Sequence, residues 1–167
     1  GVTIAKKKHI PVFRMGDFVW YEVKRRGLDL NAENVGRVAH DMREKHGNSI
    51  WAKKTVDAIK KRADEKIVVI DGLRSIDELL YFREHLSDSF NLIAITAPDA
   101  LRHKRAKNRK RADDSITNQD LIKRDKREKK WGIDQLISSA DFSICNDSSL
   151  EVLREKILDL FPNEYKE

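Results

Sequence analysis

Apolar positions along the chain follow two periods, one typical of buried strands and one typical of amphipathic helices. Four short, nearly continuous apolar runs lie within "HIPVF" (9–13), "KIVVIDG" (66–72), "NLIAITA" (91–97) and "ADFSICND" (140–147). Runs of this length predict buried strands. Between them, apolar residues recur every three or four positions, which predicts helices. These helices are expected at 17–26, 31–47, 49–63 and 76–85, in a long basic segment from Pro98, and at 149–161.

The alternation of strands and helices predicts an α/β fold with a parallel sheet and helices on both faces. In folds of this class, ligands bind at the carboxyl ends of the strands. Three predicted strands run into the segments "FRMGD", "VIDGLRS" and "ITAPD". We therefore expect the functional site where these three segments meet.

The first dozen residues do not fit a regular crossover. "GVT" (1–3) resembles the end of a buried strand, the residues from Ile4 begin a helix, and the next strand begins near Ile10. A connection between parallel strands needs a dozen or more residues, and Thr3 and Ile10 are separated by about half that number. The pattern therefore predicts that a segment is missing between residues 3 and 8.

Length and composition indicate one domain over residues 1–167 with a highly charged surface, since 40% of the residues are apolar and 37% charged. No apolar run approaches the roughly 18 residues of a membrane span, and no signal-peptide pattern is visible. Cys145 is the only cysteine, so no internal disulfide is possible. We expect a cytoplasmic location and no membrane association.

The net charge of +6 comes from one segment. Residues 102–130 contain 13 Lys and Arg but only 5 Asp and Glu, which leaves the remainder of the chain at −2. Such an imbalance favours a site for an anionic ligand over a uniformly basic nucleic-acid surface.

The strand ends carry residues suited to phosphate chemistry. Asp71 can coordinate Mg²⁺, Gly72 lets backbone approach a phosphate, and Arg74 can grip a phosphate with two hydrogen bonds. Gly16 and Asp17 repeat this arrangement one strand earlier, with Asp17 placed to contact a substrate hydroxyl. Simple structural roles stay open: Asp71 and Asp17 as caps, and Arg74 as a surface residue.

Arginines in the basic segment form the third candidate group. They are spaced one helical turn apart in two pairs around a short polar loop that begins at Arg111: Arg105 with Arg109, and Arg124 with Arg127. Phosphoryl transfer needs such a cationic cover, because its catalysis is mostly charge neutralisation and positioning. A pair of solvated charged helices is the alternative interpretation.

The ordered set "MGD", "DGLRS", "APDxLxxxRxxxR", "RxDD", "RDxRE" and "ADFSICND" resembles the P-loop nucleotide kinases. More narrowly, it resembles an archaeal family related to adenylate kinase and dephospho-CoA kinase. The resemblance covers residues 1–161 and implies a three-layer P-loop kinase fold. It also implies a helical acceptor-binding region at about 17–63 and a short arginine-rich lid at about 109–127. In these kinases "GVT" would lead into a G-x-x-x-x-G-K-[ST] phosphate loop and "TIAKK" would begin the next helix, but the sequence contains no such loop.

The resemblance implies transfer of the γ-phosphoryl group of ATP, with Mg²⁺, to a nucleotide or nucleotide-like acceptor. Asp71 would hold the metal, and Gly16, Asp17, Gly72 and Arg74 would bind the acceptor. Arg105, Arg109 and Asn146 would contact ATP, while the catalytic arginines would be Arg109, Arg111, Arg124 and Arg127. Trp20 stands where adenylate kinases have an arginine, which speaks against AMP as the acceptor.

Two other functions remain open from the sequence. One is a non-catalytic nucleotide-binding or regulatory module that lacks the phosphate loop. The other is nucleic-acid binding through residues 102–130, although only Trp131 borders that segment, so a base-stacking surface is poorly supported. Neither the identity of the acceptor nor the oligomeric state follows from the sequence.

Overall fold

The computed structural model describes residues 2–62, 66–86, 90–109 and 117–162. The helices and strands within these ranges are α1 (Val2–Lys7), β1 (Val12–Arg14), α2 (Met15–Arg25), α3 (Ala32–His46), α4 (Ile50–Lys60), β2 (Val69–Asp71), α5 (Ile76–His85), β3 (Ile93–Thr96), α6 (Asp99–Arg109), α7 (Asn118–Lys130), α8 (Ile133–Ser138), β4 (Phe142–Cys145) and α9 (Leu150–Leu158).

The amino-terminal residues form one helix, which corrects the prediction of a strand there. Val2 and Thr3 belong to α1, and the amide of Ile10 still donates to the carbonyl of Ala5 at 2.8 Å. Residues 2–10 therefore hold a helix and its closing turn and no strand end. The crossover that seemed too short does not exist, so the reason for expecting a missing segment between residues 3 and 8 falls away.

The strands pair in parallel, which confirms the α/β prediction. β1 pairs with β2 so that Arg14 lies opposite Asp71, and β3 pairs with β4 so that Thr96 lies opposite Cys145. Within the described ranges these are two separate two-stranded ladders rather than one continuous sheet. β2 was expected to be a buried strand, but Val69 and Ile70 are only partly buried and Asp71 is exposed.

Local signals explain where the helices begin and end. Asn31 caps α3 by accepting from the amide of Asn34, and Gly47 ends that helix with φ 89°, a value that favours glycine. Ser75 and Glu78 form a reciprocal capping box at α5. The predicted helices near 17–26, 31–47 and 76–85 are confirmed, whereas α8, with six residues, is too short to give a clear periodic pattern.

The principal hydrophobic core joins α2, α3, α4 and α5. Trp51 and Phe82 are its largest buried side chains, and Val23, Val38 and Val56 pack around them. Its outer layer includes Leu73 and Trp131, residues that follow β2 and α7. The core therefore fixes the ends of β1 and β2 against the helices that line the site.

No helix within the described ranges is long and apolar enough to cross a membrane.

Candidate functional site

The carboxyl ends of β1 and β2 lie side by side and bring two of the three predicted segments together. Arg14 ends β1 with its Nε 3.9 Å from Asp71 Oδ2 and its Nη1 3.5 Å from Asp17 Oδ1. Gly72 has φ 107°, and a side chain there would contact the Cβ of Met15 at 3.7 Å. Glycine therefore allows the chain to turn away from β2 while staying close to the start of α2.

Asp71 has the properties of a carboxylate that is open to a ligand. Its side chain is 49% exposed, and its only ion pair within the described ranges is the long one to Arg14. The described residues hold no cluster of three or more potential protein ligands for a metal. Mg²⁺ is commonly held by one or two carboxylates together with phosphate oxygens and water, so Asp71 fits that mode of binding.

Glu78 is a fully buried carboxylate that organises the turn after β2. Its Oε1 accepts from Arg43 at 2.7 Å, and its Oε2 accepts from the amides of Arg74 at 2.7 Å and Ser75 at 3.3 Å. The Arg43 side chain is only 4% exposed. This buried pair fixes the backbone that carries Arg74 toward the site.

Arg74, in the turn after β2, and Arg124, on α7, share the carboxylate of Glu128. Glu128 Oε1 lies 3.2 Å from Arg74 Nε and 3.1 Å from Arg124 Nε. Burial raises the pKa of Glu128, but the charges of Arg74 and Arg124 outweigh it and hold that pKa below its usual range. The carboxylate thus stays ionised and aligns the two guanidinium groups.

Arg127 lies beside the same cavity, and no carboxylate of the described residues forms an ion pair with it. Its Nε is buried and has no hydrogen-bond partner within the described ranges, and its guanidinium is 5.6 Å from the centre of the Trp131 ring. Arg43 lies over that ring at 4.1 Å. Burial, with the neighbouring charges of Arg124 and Arg43, lowers the pKa of Arg127.

These residues line a cavity of about 140 Å³ between the strand ends, α3 and α7. The cavity brings together most residues that were predicted around the acceptor and in the lid: Gly16, Asp71, Gly72, Arg74, Arg124 and Arg127. Trp20 lies at its edge, within 5.7 Å of the Arg14 guanidinium. These positions therefore lie around one cavity, while the roles predicted for them stay predictions. The third predicted segment, "ITAPD", lies at the end of β3 in the other ladder and does not line this cavity.

Arg105 and Asn146 lie together at a different place, beside the end of β4. Arg105 donates to the carbonyls of Asn146 at 2.7 Å and Ser148 at 3.3 Å. The amide of Asn146 donates to Thr96 at 2.7 Å, which ties this loop to the end of β3. Arg105 therefore shapes the loop after β4, and the ATP contact that the resemblance implies for Arg105 and Asn146 stays a prediction.

Other predicted residues are placed less completely. Asp17 is exposed and pairs with Arg14, outside the set that lines the cavity. Arg109 ends α6, its side chain lies outside the described residues, and Arg111 lies outside them altogether. The structure also shows a shallow groove of about 470 Å³ between α6 and α7, lined by His103, Lys104 and Lys107 among others.

Sequence reasoning missed several cavity residues, some of which carried a usable signal. The "SIDE" spacing from Ser75 to Glu78 is a capping-box pattern and could have marked Glu78. Arg43 lies on the apolar face of α3, four residues after Ala39, so a charged residue there required a buried partner. Gly36 carried the signal of a glycine inside a predicted helix, whereas Arg14 and Glu128 gave none, since their roles depend on contacts with distant elements.

Comparison with known proteins identifies relatives over most of the chain. A family model described as an AAA domain matches residues 2–123. A UPF0200/UPF0201 protein of Archaeoglobus fulgidus is 41% identical over 92% of this chain, which spans about half (48%) of that relative's length. UPF0200 proteins of Methanosarcina barkeri and Methanocaldococcus jannaschii are 36% and 42% identical, and the matches cover 86% and 75% of their lengths.

Among solved structures, shikimate kinase from Aquifex aeolicus is similar over 100% of this chain and 90% of its own, at 22% identity and a TM-score of 0.47. The archaeal relatives, at 36–42% identity, are more similar in sequence to this chain than shikimate kinase is. On the strength of the AAA-domain match and of archaeal relatives at more than a third identity, the chain belongs to the UPF0200 family.

Proposed function

We propose that this protein transfers the γ-phosphoryl group of ATP, with Mg²⁺, to a nucleotide or nucleotide-like acceptor. The observation that carries the proposal is the cavity in which Asp71, Arg74, Arg124 and Arg127 converge at the ends of two parallel strands. A carboxylate for the metal and several arginines for phosphate oxygens are the groups that phosphoryl transfer requires. The match to an AAA-domain model over residues 2–123 supports a nucleotide-binding role.

Within this proposal each group has a defined task. Asp71 would hold Mg²⁺, which would supply neutralisation of the phosphate charge. Arg74 and Arg124, aligned by Glu128, would bind oxygens of the group in transfer. Guanidinium forks suit this task because they make two parallel hydrogen bonds to a phosphate. Arg105 and the loop at Asn146 would border the base of ATP.

A phosphate loop is part of the proposal although the 167 residues contain no G-x-x-x-x-G-K-[ST] motif. The "TIAKK" segment, expected to begin the helix after such a loop, is helical within α1. We place the loop before α1, in residues outside this sequence. The relatives are longer than the matched stretches, since matches to two of them cover 86% and 75% of their lengths. Assays should therefore use the full natural protein.

The proposal predicts that Arg124→Lys lowers kcat for phosphoryl transfer by about 10² or more, with little change in the affinity for ATP. Lysine supplies a point charge where the site needs a planar fork held by Glu128. A group that acts mainly in the transition state lowers kcat and kcat/KM together. The measurement is steady-state turnover across candidate nucleotide acceptors.

Lys126→Arg is the matched control, because Lys126 is exposed on the same helix and the change also exchanges one cation for another. It should keep wild-type turnover. Nucleic-acid binding through residues 102–130 predicts a different result, namely similar small losses of oligonucleotide affinity for either change and a steep dependence on salt. Unchanged turnover in Arg124→Lys with such losses would favour that alternative.

A further inference from the structure

Gly36 stands in the interior of α3 without a conformational reason for being glycine. It lies in the fifth position of a fifteen-residue helix and is buried. Glycine within a helix costs about 1 kcal/mol relative to alanine, so its presence there needs a packing or functional reason. A Cβ at this position would collide with the guanidinium of Arg127, meeting Cζ at 2.6 Å and Nη2 at 2.8 Å.

Gly36 therefore makes room for the charged end of Arg127 between α3 and α7. The Trp131 ring bounds the same space, with the Arg43 guanidinium 4.1 Å and the Arg127 guanidinium 5.6 Å from its centre. An indole face attracts cations, which explains how two guanidinium groups are held on one aromatic side chain.

Within the described ranges, carboxylates in this space pair with Arg43, Arg74 and Arg124 but not with Arg127. Arg43 pairs with Glu78 at 2.7 Å, and Arg74 and Arg124 share Glu128. Within the described ranges, the buried Nε of Arg127 has no hydrogen-bond partner. Arg127 thus adds a further positive charge beside three paired arginines, and such charges repel one another unless an anion joins them. An anionic ligand would therefore complete the arrangement.

The size of the cavity limits that ligand. About 140 Å³ is available, whereas sites that enclose a whole drug-sized ligand usually offer roughly 300–1,000 Å³. The space fits an anionic group such as phosphate rather than an entire nucleotide. The remainder of such a ligand would extend toward the more open side at Asp71 and Trp20.

The geometry points to Gly36 as a specificity-determining residue: it admits the Arg127 guanidinium to the cavity, where Arg127 recognises a phosphate monoester group that the acceptor itself carries. This inference rests on the proposed function, because it takes the protein to have a phosphoryl acceptor. It deepens that proposal by naming the class of acceptor. Arg127 thus binds the acceptor's own phosphate in this assignment, rather than acting as a catalytic arginine, the role that the resemblance implied.

The test is a titration of the full natural protein with inorganic phosphate in the absence of ATP, in which binding is monitored by tryptophan fluorescence. Loss of the signal in the Trp131→Phe variant would assign it to the ring beside Arg127. Arg127→Met and Gly36→Ala should each weaken phosphate binding by about tenfold or more, because each removes a charge-assisted contact. Lys126→Met, which removes an exposed charge from the same helix, should change the affinity less than twofold.

Gly36→Ala separates ligand binding from folding. Only the end of a flexible side chain has to move to accept the new methyl group, and alanine favours the helix, so the unfolding midpoint should stay equal or rise while phosphate affinity falls. If that variant does not fold, Arg127→Met carries the test alone. Wild-type affinity in Arg127→Met, an equal loss in Lys126→Met, or no phosphate binding by the unmodified protein would each overturn the inference.

Failure of this inference and failure of the proposed function give different results. If phosphate binding depends on Arg127 but the protein transfers no phosphoryl group, the anion site is supported and the proposed kinase activity is refuted. Efficient transfer to acceptors that carry no anionic group would support the kinase and overturn the assignment of Arg127.

Discussion

At the scale of single residues, the site depends on one buried carboxylate. Glu78 is fully buried and accepts hydrogen bonds from the Arg43 guanidinium and from the amides of Arg74 and Ser75. Burying two charges is expensive unless each is satisfied by the other. The Arg43–Glu78 pair is therefore sensitive to the loss of either partner, and it links α3 to the turn that carries Arg74.

We predict that Glu78→Gln lowers the free energy of unfolding by about 3–5 kcal/mol, since Arg43 would remain in the core without its counter-charge. The double change Arg43→Met with Glu78→Leu should lose less, because no unpaired charge remains. Urea unfolding of the two variants and the parent protein measures this. A loss below about 1 kcal/mol in Glu78→Gln would contradict the structural role given to the pair.

At the scale of elements, α6 and α7 are joined by a cluster around one aspartate. Asp125 of α7 accepts from Arg102 at 2.8 Å and lies 3.0 Å from His103 Nε2, both on α6. The hydrogen bond from Arg102, with a further one involving His103, outweighs burial and lowers the pKa of Asp125 to about 2. The arginine-bearing helix α7 is thus held to α6 by a carboxylate that stays ionised.

The lowered pKa predicts a pH-dependent contribution to stability. A carboxyl group with a folded pKa near 2 and an unfolded pKa near 4 stabilises the fold above about pH 4 and loses that contribution as the pH falls through about 2. Asp125→Asn should therefore cost about 1 kcal/mol at pH 7, a figure reduced for the partial exposure of Arg102. The cost should shrink steadily below pH 4. Unfolding curves of both proteins from pH 7 to pH 3 check this, and a cost independent of pH would contradict it.

Periodicity alone predicted most elements, because strands and helices of ordinary length carry strong local patterns. α5 begins and ends at the predicted residues 76 and 85, where a capping box marks the start. The amino-terminal strand was wrong because three residues carry too little pattern to separate a strand end from the first turn of a helix. The division of the four strands into two ladders could not be predicted from local sequence patterns, because strand pairing depends on contacts between distant segments.

At the scale of the whole molecule, the site is assembled by long-range contacts that the sequence predicted only in part. The parallel pairing of β1 and β2 was expected, and it places Arg14 opposite Asp71. The contacts between α3 and the end of α7 were not expected, yet they set Arg127 against Gly36 and Trp131 beside Arg43. Such pairs have no local signature, because the residues in contact are separated by about ninety positions in the chain.

The central claim is Mg²⁺-dependent phosphoryl transfer at the ends of β1 and β2. The most direct test compares the full natural protein with its Asp71→Asn variant, measuring transfer of label from γ-labelled ATP to phosphate-bearing nucleotide and nucleotide-like acceptors at saturating Mg²⁺. The account predicts labelled acceptor with the parent protein and a rate about 10² or more lower in the variant, because the amide has lost the charge that positions the metal. Equal rates in the two folded proteins, or no transfer to any acceptor by the parent, would contradict it.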